Sequence, residues 1–164
     1  MEESELRQIA ADYLNKKFHD CKLVIPFFDF HAVGLTLTSY LKKRYFGEDL
    51  KKLPFLEEVE IRPDILGIIA LTDIDEWAYV IGEVKARKVT MGDFRQCMNY
   101  VNLSHPLDGY LFFSEQLTQE VKRNIIADNH RFFGLNSWGK LVLRRVHLLS
   151  FKRGRFTNGR RDLR

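Results

Sequence analysis

Apolar residues recur along the chain at two different spacings, which predict helices in some segments and strands in others. Helical spacing, with apolar residues three or four positions apart, occurs at 4–18, 35–45, from 90 onward and at 118–128. Runs rich in β-branched and aromatic residues, typical of strands, occur at 22–30, 59–71, 77–86, 109–114 and 141–151. Residues 48–58 follow neither pattern.

The order of these elements predicts how the strands pair. The strand-like run 77–86 is followed by a helical segment and then by the apolar run 109–114. Such a strand–helix–strand crossover places its two strands side by side and parallel. The sequence therefore predicts an α/β fold in which a central mixed β-sheet is flanked by helices.

The runs 59–71 and 77–86 flank a short polar turn and predict a β-hairpin with a definite register. If the turn is centred between Asp73 and Ile74, Asp64 lies directly opposite Glu83 on the neighbouring strand. Opposed residues of an antiparallel pair have Cβ atoms about 5 Å apart. Side chains alternate between the two faces of a strand, so Lys85 shares a face with Glu83. A bulge in either strand would shift this register.

Two opposed carboxylates repel each other, and this repulsion predicts a bound cation. Like charges directly opposite one another destabilise a sheet unless something neutralises them. A hard divalent cation, Mg²⁺ or Mn²⁺, is held by one or two carboxylates together with a substrate phosphate. It polarises phosphoryl oxygens and acidifies a bound water. Lys85 would stabilise charge that develops on a phosphate, so Asp64, Glu83 and Lys85 are candidate catalytic residues.

Composition narrows the class of protein. Of the 164 residues, 45% are hydrophobic and 29% are charged, which suits one domain with a real core. The two cysteines, Cys21 and Cys97, are far apart and imply neither a four-ligand metal site nor a disulfide. The acidic N-terminal residues and the lack of a long apolar run predict a cytoplasmic protein that does not cross a membrane.

Positive charge is concentrated toward the C-terminal end. From Arg144 onward there are eight Lys or Arg residues and one acidic residue, Asp162, although the whole chain carries a net charge of only +4. We predict that 151–164 forms a basic tail and that Arg153 and Arg155 contact the phosphates of a nucleic acid. The alternative is a solvated tail that only maintains solubility.

The triplet Arg62-Pro63-Asp64, followed after eighteen residues by Glu83-Val84-Lys85, resembles the PD-(D/E)xK motif of the restriction-endonuclease-like nuclease superfamily. The resemblance implies a restriction-endonuclease-like core, to which the helix before the motif and the helix and strand after it also correspond. It implies that Asp64, Glu83 and the Val84 carbonyl are metal ligands and that Lys85 is the catalytic lysine. Residues 1–150 would form this single domain, with an insertion around 19–58.

Some members of the superfamily also use an acidic residue on the first helix. Glu2, Glu3 and Glu5 are the candidates, and we favour Glu3 as a metal ligand because it lies one turn before the apolar Leu6. The alternative is that all three carboxylates only interact favourably with the dipole at the N-terminus of the helix.

Four further residues are candidates around this centre. Gln96 and Tyr100, four positions apart on the helix after the lysine, resemble the RecB-like branch of the superfamily; a Holliday-junction-resolvase-like branch is the other candidate. Gln96 would take part in catalysis and Tyr100 would contact nucleic acid, or both are ordinary surface residues of an amphipathic helix. Arg87 and Lys88 extend the positive charge beyond Lys85 and are predicted to contact flanking phosphates.

The leading hypothesis is therefore a Mg²⁺-dependent DNA endonuclease that hydrolyses phosphodiester bonds. The alternative is a non-catalytic nucleic-acid-binding domain on the same fold, which would show salt-sensitive binding without turnover. A homodimer would suit the cutting of two strands, but the sequence does not decide between a monomer and a dimer. It does not select a DNA structure or a pathway either.

Overall fold

The computed structural model describes residues 1–19, 27–32, 36, 39, 60–71, 76–135 and 140–159. The predicted helix at 35–45 lies outside these residues except for positions 36 and 39. The hairpin turn at 72–75, the unassigned segment 48–58 and most of the predicted insertion also lie outside them.

The described chain contains helices that match three of the sequence predictions. They are α1 (Glu3–His19), α2 (Met91–Ser104) and α3 (Gln119–Ile126). The strands are β1 (Phe27–Ala32), β2 (Ile65–Leu71), β3 (Glu76–Lys85), β4 (Asp108–Phe113), β5 (Arg131–Leu135), β6 (Leu141–Arg145), β7 (His147–Lys152) and β8 (Arg155–Asn158). None of these helices is long and apolar enough to cross a membrane.

The central sheet is mixed, as predicted. Its strands lie in the order β1-β2-β3-β4-β7-β8. β1, β2 and β3 pair antiparallel, whereas β4 is parallel to both β3 and β7, and β8 is antiparallel to β7. The parallel pairing of β3 with β4 confirms the crossover predicted through α2. β5 and β6 form a separate two-stranded sheet.

The central sheet lies between α1 on one face and α2 with α3 on the other. Strands buried on both faces read as nearly continuous apolar runs whose residues alternate between the faces. One set of alternating residues packs with α1: Ile65, Ile69, Val80, Val84, Tyr110 and Phe112. The other set packs with α2 and α3: Leu66, Ile68, Tyr79, Ile81, Leu111 and Phe113. Full burial of each large side chain contributes about 1.5–3 kcal/mol.

The start of α2 has a capping box formed by Thr90 and Asp93. The Thr90 side chain accepts a hydrogen bond from the main-chain N–H of Asp93, and the Asp93 carboxylate accepts one from the N–H of Thr90. Both satisfy N–H groups that a helix leaves without partners at its first turn. This cap sets where the helix begins after β3.

The predicted late strand at 141–151 is two strands that belong to different sheets. β6 pairs with β5, whereas β7 pairs with β4. The chain changes sheet at Val146, which is buried and donates its N–H to the carbonyl oxygen of His130 at 2.9 Å. β5 was not predicted from the sequence. Its apolar run is short, and its pairing with β6 is a tertiary contact.

Residues 151–158 belong to the sheet, which corrects the prediction of a tail for this part of 151–164. Arg153 and Gly154 have φ values of 51° and 76° and form a two-residue turn, with Lys152 opposite Arg155. Two central residues with positive φ are the mark of a tight hairpin that matches strand twist. The turn returns the chain so that β8 pairs with β7.

Candidate functional site

The β2–β3 hairpin has the predicted register. Ile65 pairs with Gly82 at one end of the hairpin, and Leu71 pairs with Glu76 at the other. One residue beyond the Ile65 pair, Asp64 therefore lies opposite Glu83. No bulge shifts the paired residues of this hairpin. By alternation, Glu83 continues the row of β3 side chains that faces α2.

Asp64 is held at the start of β2 by contacts from both sides. Its Oδ2 accepts a hydrogen bond from the main-chain N–H of Val84 at 2.8 Å, which ties it to β3. Its Oδ1 lies 2.7 Å from Nη2 of Arg7 on α1. The side chain is buried. Asp64 is therefore fixed at the point where β2, β3 and α1 meet.

The Glu83 carboxylate is buried, and its contact with a charged group is an ion pair with Lys85. Only 2% of the residue is exposed, and among the residues described neither of its oxygens accepts a hydrogen bond. Lys85 Nζ lies 3.3 Å from Oε2 and forms an ion pair. Burial, and secondly the charge of Asp64, raise the pKa of Glu83 to about 8, although Lys85 opposes the shift. The fold thus disfavours the ionised form of Glu83 unless a cation lies beside it.

Lys85 is placed between the two carboxylates. Its Nζ lies 3.3 Å from Glu83 Oε2 and 3.8 Å from Asp64 Oδ2. Burial alone would lower the pKa of Lys85, but the carboxylates of Glu83 and Asp64 outweigh it and the pKa is raised. Lys85 is therefore a cation at the site. The structure brings together Asp64, Glu83 and Lys85, as the sequence predicted.

Arg7 is a member of this cluster that was not predicted from the sequence. Its Nη2 lies 2.7 Å from Glu3 Oε1 and 2.7 Å from Asp64 Oδ1, so it bridges the two carboxylates. Its Nε is buried and makes no hydrogen bond within the described chain. The available signal was its position four residues after Glu3, a spacing that brings opposite charges together on a helix.

Glu3 reaches the site through Arg7. Its carboxylate pairs with the guanidinium of Arg7, which in turn contacts Asp64. The prediction that Glu3 is a metal ligand remains a prediction, because a cation shared by Glu3 and Asp64 would first have to displace Arg7. The carbonyl of Val84 likewise remains a predicted ligand, although its N–H already holds Asp64.

Gln96 and Tyr100 lie on α2 and contact each other. The amide of Gln96 donates to the hydroxyl of Tyr100 at 3.1 Å. Cys97, between them in sequence, is buried in the core, and burial followed by the charge of Glu83 raises the pKa of its thiol. α2 therefore packs on the face of the sheet that carries Glu83. Within the described chain, no hydrogen bond joins Gln96 or Tyr100 to Glu83.

The basic residues after Lys85 differ in their contacts. Arg87 donates two hydrogen bonds of 2.8 Å to the carboxylate of Asp93, which links the end of β3 to the cap of α2. Lys88 is exposed. Arg153 and Arg155 are exposed at the β7–β8 turn. The contacts with nucleic acid predicted for these basic residues remain predictions. Arg87 would have to contact a phosphate while it is still paired with Asp93.

The donor set fits a hard divalent cation. Within the ranges described, no group of three or more His, Cys, Asp or Glu side chains is arranged to hold a metal. Mg²⁺, however, is often bound by only one or two carboxylates, with waters and substrate phosphates as the other ligands. Asp64 and the donor-poor oxygens of Glu83 supply that minimum.

Comparison of the chain with protein-family models, with curated proteins and with solved structures finds no match. A function is therefore inferred from the geometry of Asp64, Glu83, Lys85 and Arg7.

Proposed function

We propose that the protein is a divalent-metal-dependent DNA endonuclease whose site consists of Asp64, Glu83 and Lys85. The observation that supports this most strongly is the carboxylate of Glu83, which is buried beside Asp64 and accepts no hydrogen bond from the residues that the structure describes. A buried charge without donors is costly, and the cost is normally offset by a partner or a metal. Lys85 offsets part of it, and a cation ligated by both carboxylates would offset the rest.

The order of elements supports the resemblance to PD-(D/E)xK nucleases. Among the described residues, helix α1, strands β1 to β3, helix α2 and strand β4 occur in the order expected for the core of that superfamily. Asp64 immediately precedes β2, and Glu83 and Lys85 lie at the end of β3, next to the crossover. We infer a restriction-endonuclease-like core from this agreement of topology with motif position.

Each side chain has a role in the proposed hydrolysis. Asp64 and Glu83 would hold Mg²⁺ or Mn²⁺, which when bound polarises a phosphoryl oxygen and acidifies water. Lys85 faces the same space and would stabilise the charge that develops on the phosphate. In the reaction a water oxygen bonds to phosphorus, the bond from phosphorus to the leaving sugar oxygen breaks, and a proton passes to that oxygen.

The test compares cleavage by matched variants. Labelled single-stranded, double-stranded and branched DNA are incubated with Mg²⁺ or Mn²⁺ and with wild-type protein, Glu83→Gln or Lys85→Met. We expect cleavage by the wild type and a loss of roughly a hundredfold or more in each variant. Glu120→Gln, which neutralises an exposed carboxylate on α3, should cleave like the wild type. If the wild type and Glu83→Gln are equally inert on all substrates with both metals, the proposal is wrong.

One observation favours the non-catalytic alternative. Arg7 already pairs with Asp64 without any metal, so the negative charge of Asp64 does not require a bound cation. A nucleic-acid-binding domain of this fold would bind DNA without metal dependence or turnover. Calorimetric titration with Mn²⁺, with and without DNA, distinguishes the two: the nuclease proposal requires binding that Glu83→Gln weakens, and the alternative requires none.

A further inference from the structure

The β5–β6 hairpin presents large apolar side chains to solvent. Phe133 pairs directly with Leu143, and these residues are 54% and 55% exposed. Leu141, on the same face, is also exposed. The opposite face of the hairpin is anchored, because Phe132 is buried in the core and Gly134 lies against the carbonyl oxygen of Pro106. The fold therefore holds the outward face in place while the side chains of that face remain exposed to solvent.

Two arginines flank this apolar pair. Arg131 and Arg145 lie directly opposite each other, one residue pair beyond Phe133 and Leu143 in the alternating row. Opposed like charges destabilise a sheet. Both guanidiniums contact the single carboxylate of Asp128, with Arg145 donating at 2.8 and 2.9 Å. One carboxylate for two guanidiniums leaves an excess of positive charge on a half-exposed surface.

A groove of about 470 Å³ adjoins the arginine pair. It is lined by Asp108, Arg131, Leu143, Arg144, Arg145 and His147. Oδ1 of Asp108 lies 3.4 Å from Arg144 Nη1 and 3.3 Å from His147 Nε2. The volume is within the range of sites that take small molecules or single nucleotides. The lining has three arginines and a histidine against one aspartate, and even with Asp128, which contacts Arg131 and Arg145, the basic groups outnumber the acidic ones, so the groove favours an anionic ligand.

This groove is separate from the candidate metal site. Asp108 begins β4 and pairs with Val80, whereas Lys85 pairs with Phe113 at the other end of the same strand. Five residues of parallel strand correspond to roughly 17 Å. The groove therefore lies at the opposite end of β4 from the strand position that pairs with Lys85.

We propose that the outward face of the β5–β6 hairpin, together with its groove, binds a single strand of nucleic acid. Phosphates would lie at Arg131 and Arg145, and a base would stack on Phe133 beside Leu143. Unpaired bases have free faces for such stacking, whereas the bases of a duplex stack on one another. The choice of a nucleic acid over other anions rests on the nuclease function proposed above.

The test measures binding without cleavage. Wild-type protein in a chelator is titrated into a labelled single-stranded oligothymidine, and anisotropy is recorded at several salt concentrations. Phe133→Ala should weaken binding about tenfold, because stacking of one base contributes that much affinity. Arg131→Gln combined with Arg145→Gln should reduce the slope of log affinity against log salt by about 0.7 for each phosphate that the variant no longer neutralises.

Matched controls and contrary outcomes complete the design. Ile126→Ala removes another exposed apolar side chain and Arg123→Gln another exposed arginine, both on α3, and neither should change binding. The inference is wrong if Phe133→Ala binds like the wild type, if only a duplex binds, or if Phe133→Ala instead dissolves a dimer seen by sedimentation. If the wild type cleaves DNA but Phe133→Ala binds the single strand as tightly as the wild type, the strand-binding inference is wrong and the nuclease proposal stands. If Phe133→Ala weakens strand binding but the wild type cleaves no DNA, the nuclease proposal is wrong and the strand-binding inference stands.

Discussion

Replacing Glu83 by glutamine should make the metal-free protein more stable, and by an amount that depends on pH. The substitution keeps the shape of the side chain and removes a buried ionisable carboxyl group whose oxygens accept no hydrogen bond in the described chain. Burial and the charge of Asp64 raise the pKa of Glu83 from 4.5 to about 8 in the folded protein. The folded state therefore binds a proton more tightly than the unfolded state does.

The magnitude follows from that difference in pKa. Stability from this group is present below pH 4.5 and is lost as pH rises between 4.5 and about 8, because ionisation is easier in the unfolded chain. Each pH unit in this window costs about 1.4 kcal/mol. Glu83→Gln escapes that loss. We expect its free energy of unfolding to exceed that of the wild type by roughly 3 kcal/mol at pH 7 and to equal it near pH 4.

Urea unfolding at a series of pH values measures this difference. With a slope of about 2 kcal/mol per molar urea, a gain of roughly 3 kcal/mol moves the midpoint by about 1.5 M at pH 7. Glu115→Gln, which neutralises an exposed carboxylate, should show no such pH-dependent gain. Mg²⁺ should stabilise the wild type more than Glu83→Gln. If Glu83→Gln is no more stable than the wild type at pH 7, the view that the fold disfavours an ionised Glu83 is wrong.

Three further changes test other parts of the structure. Arg7→Gln should bind Mn²⁺ roughly tenfold more tightly by calorimetry, because it removes a positive charge that contacts Asp64. Arg153→Asn should raise the free energy of unfolding by about 0.5–1 kcal/mol in urea, because asparagine accepts positive φ more readily than arginine. Gly109→Ala should lower it by about 1–3 kcal/mol, because a Cβ there would lie 2.5 Å from the side chain of Val101.

Each of these has a control of opposite or null outcome. Glu3→Gln should leave the contact between Arg7 and Asp64 and so should not tighten metal binding. Gly154→Ala should destabilise the turn that Arg153→Asn stabilises, because its φ of 76° disfavours a side chain. Val101→Ala should make Gly109→Ala less costly by removing the clashing methyl. Additive losses in that last pair would contradict the predicted clash.

Local patterns were sufficient for the parts of the protein that depend on neighbours in sequence. The capping box of Thr90 and Asp93, the three helices and the hairpin register each depend on residues close together in the chain. The register then determined that Asp64 and Glu83 face each other. An antiparallel pair has a fixed geometry once its turn is placed. The positions of the acidic pair and of Lys85 could therefore be predicted from their spacing alone.

Tertiary packing decided the rest. Arg7 contacts Asp64 only because α1 docks on the sheet beside β2 and β3, and no local pattern encodes that contact. The change of sheet at Val146 and the exposure of Phe133 with Leu143 depend on which strand each segment pairs with. The sequence by itself determined the acidic centre and the elements that carry it. Only the folded chain decided that Arg7 neutralises Asp64 and that Phe133 and Leu143 stay exposed to water, because burial and ion pairing between distant segments follow from packing.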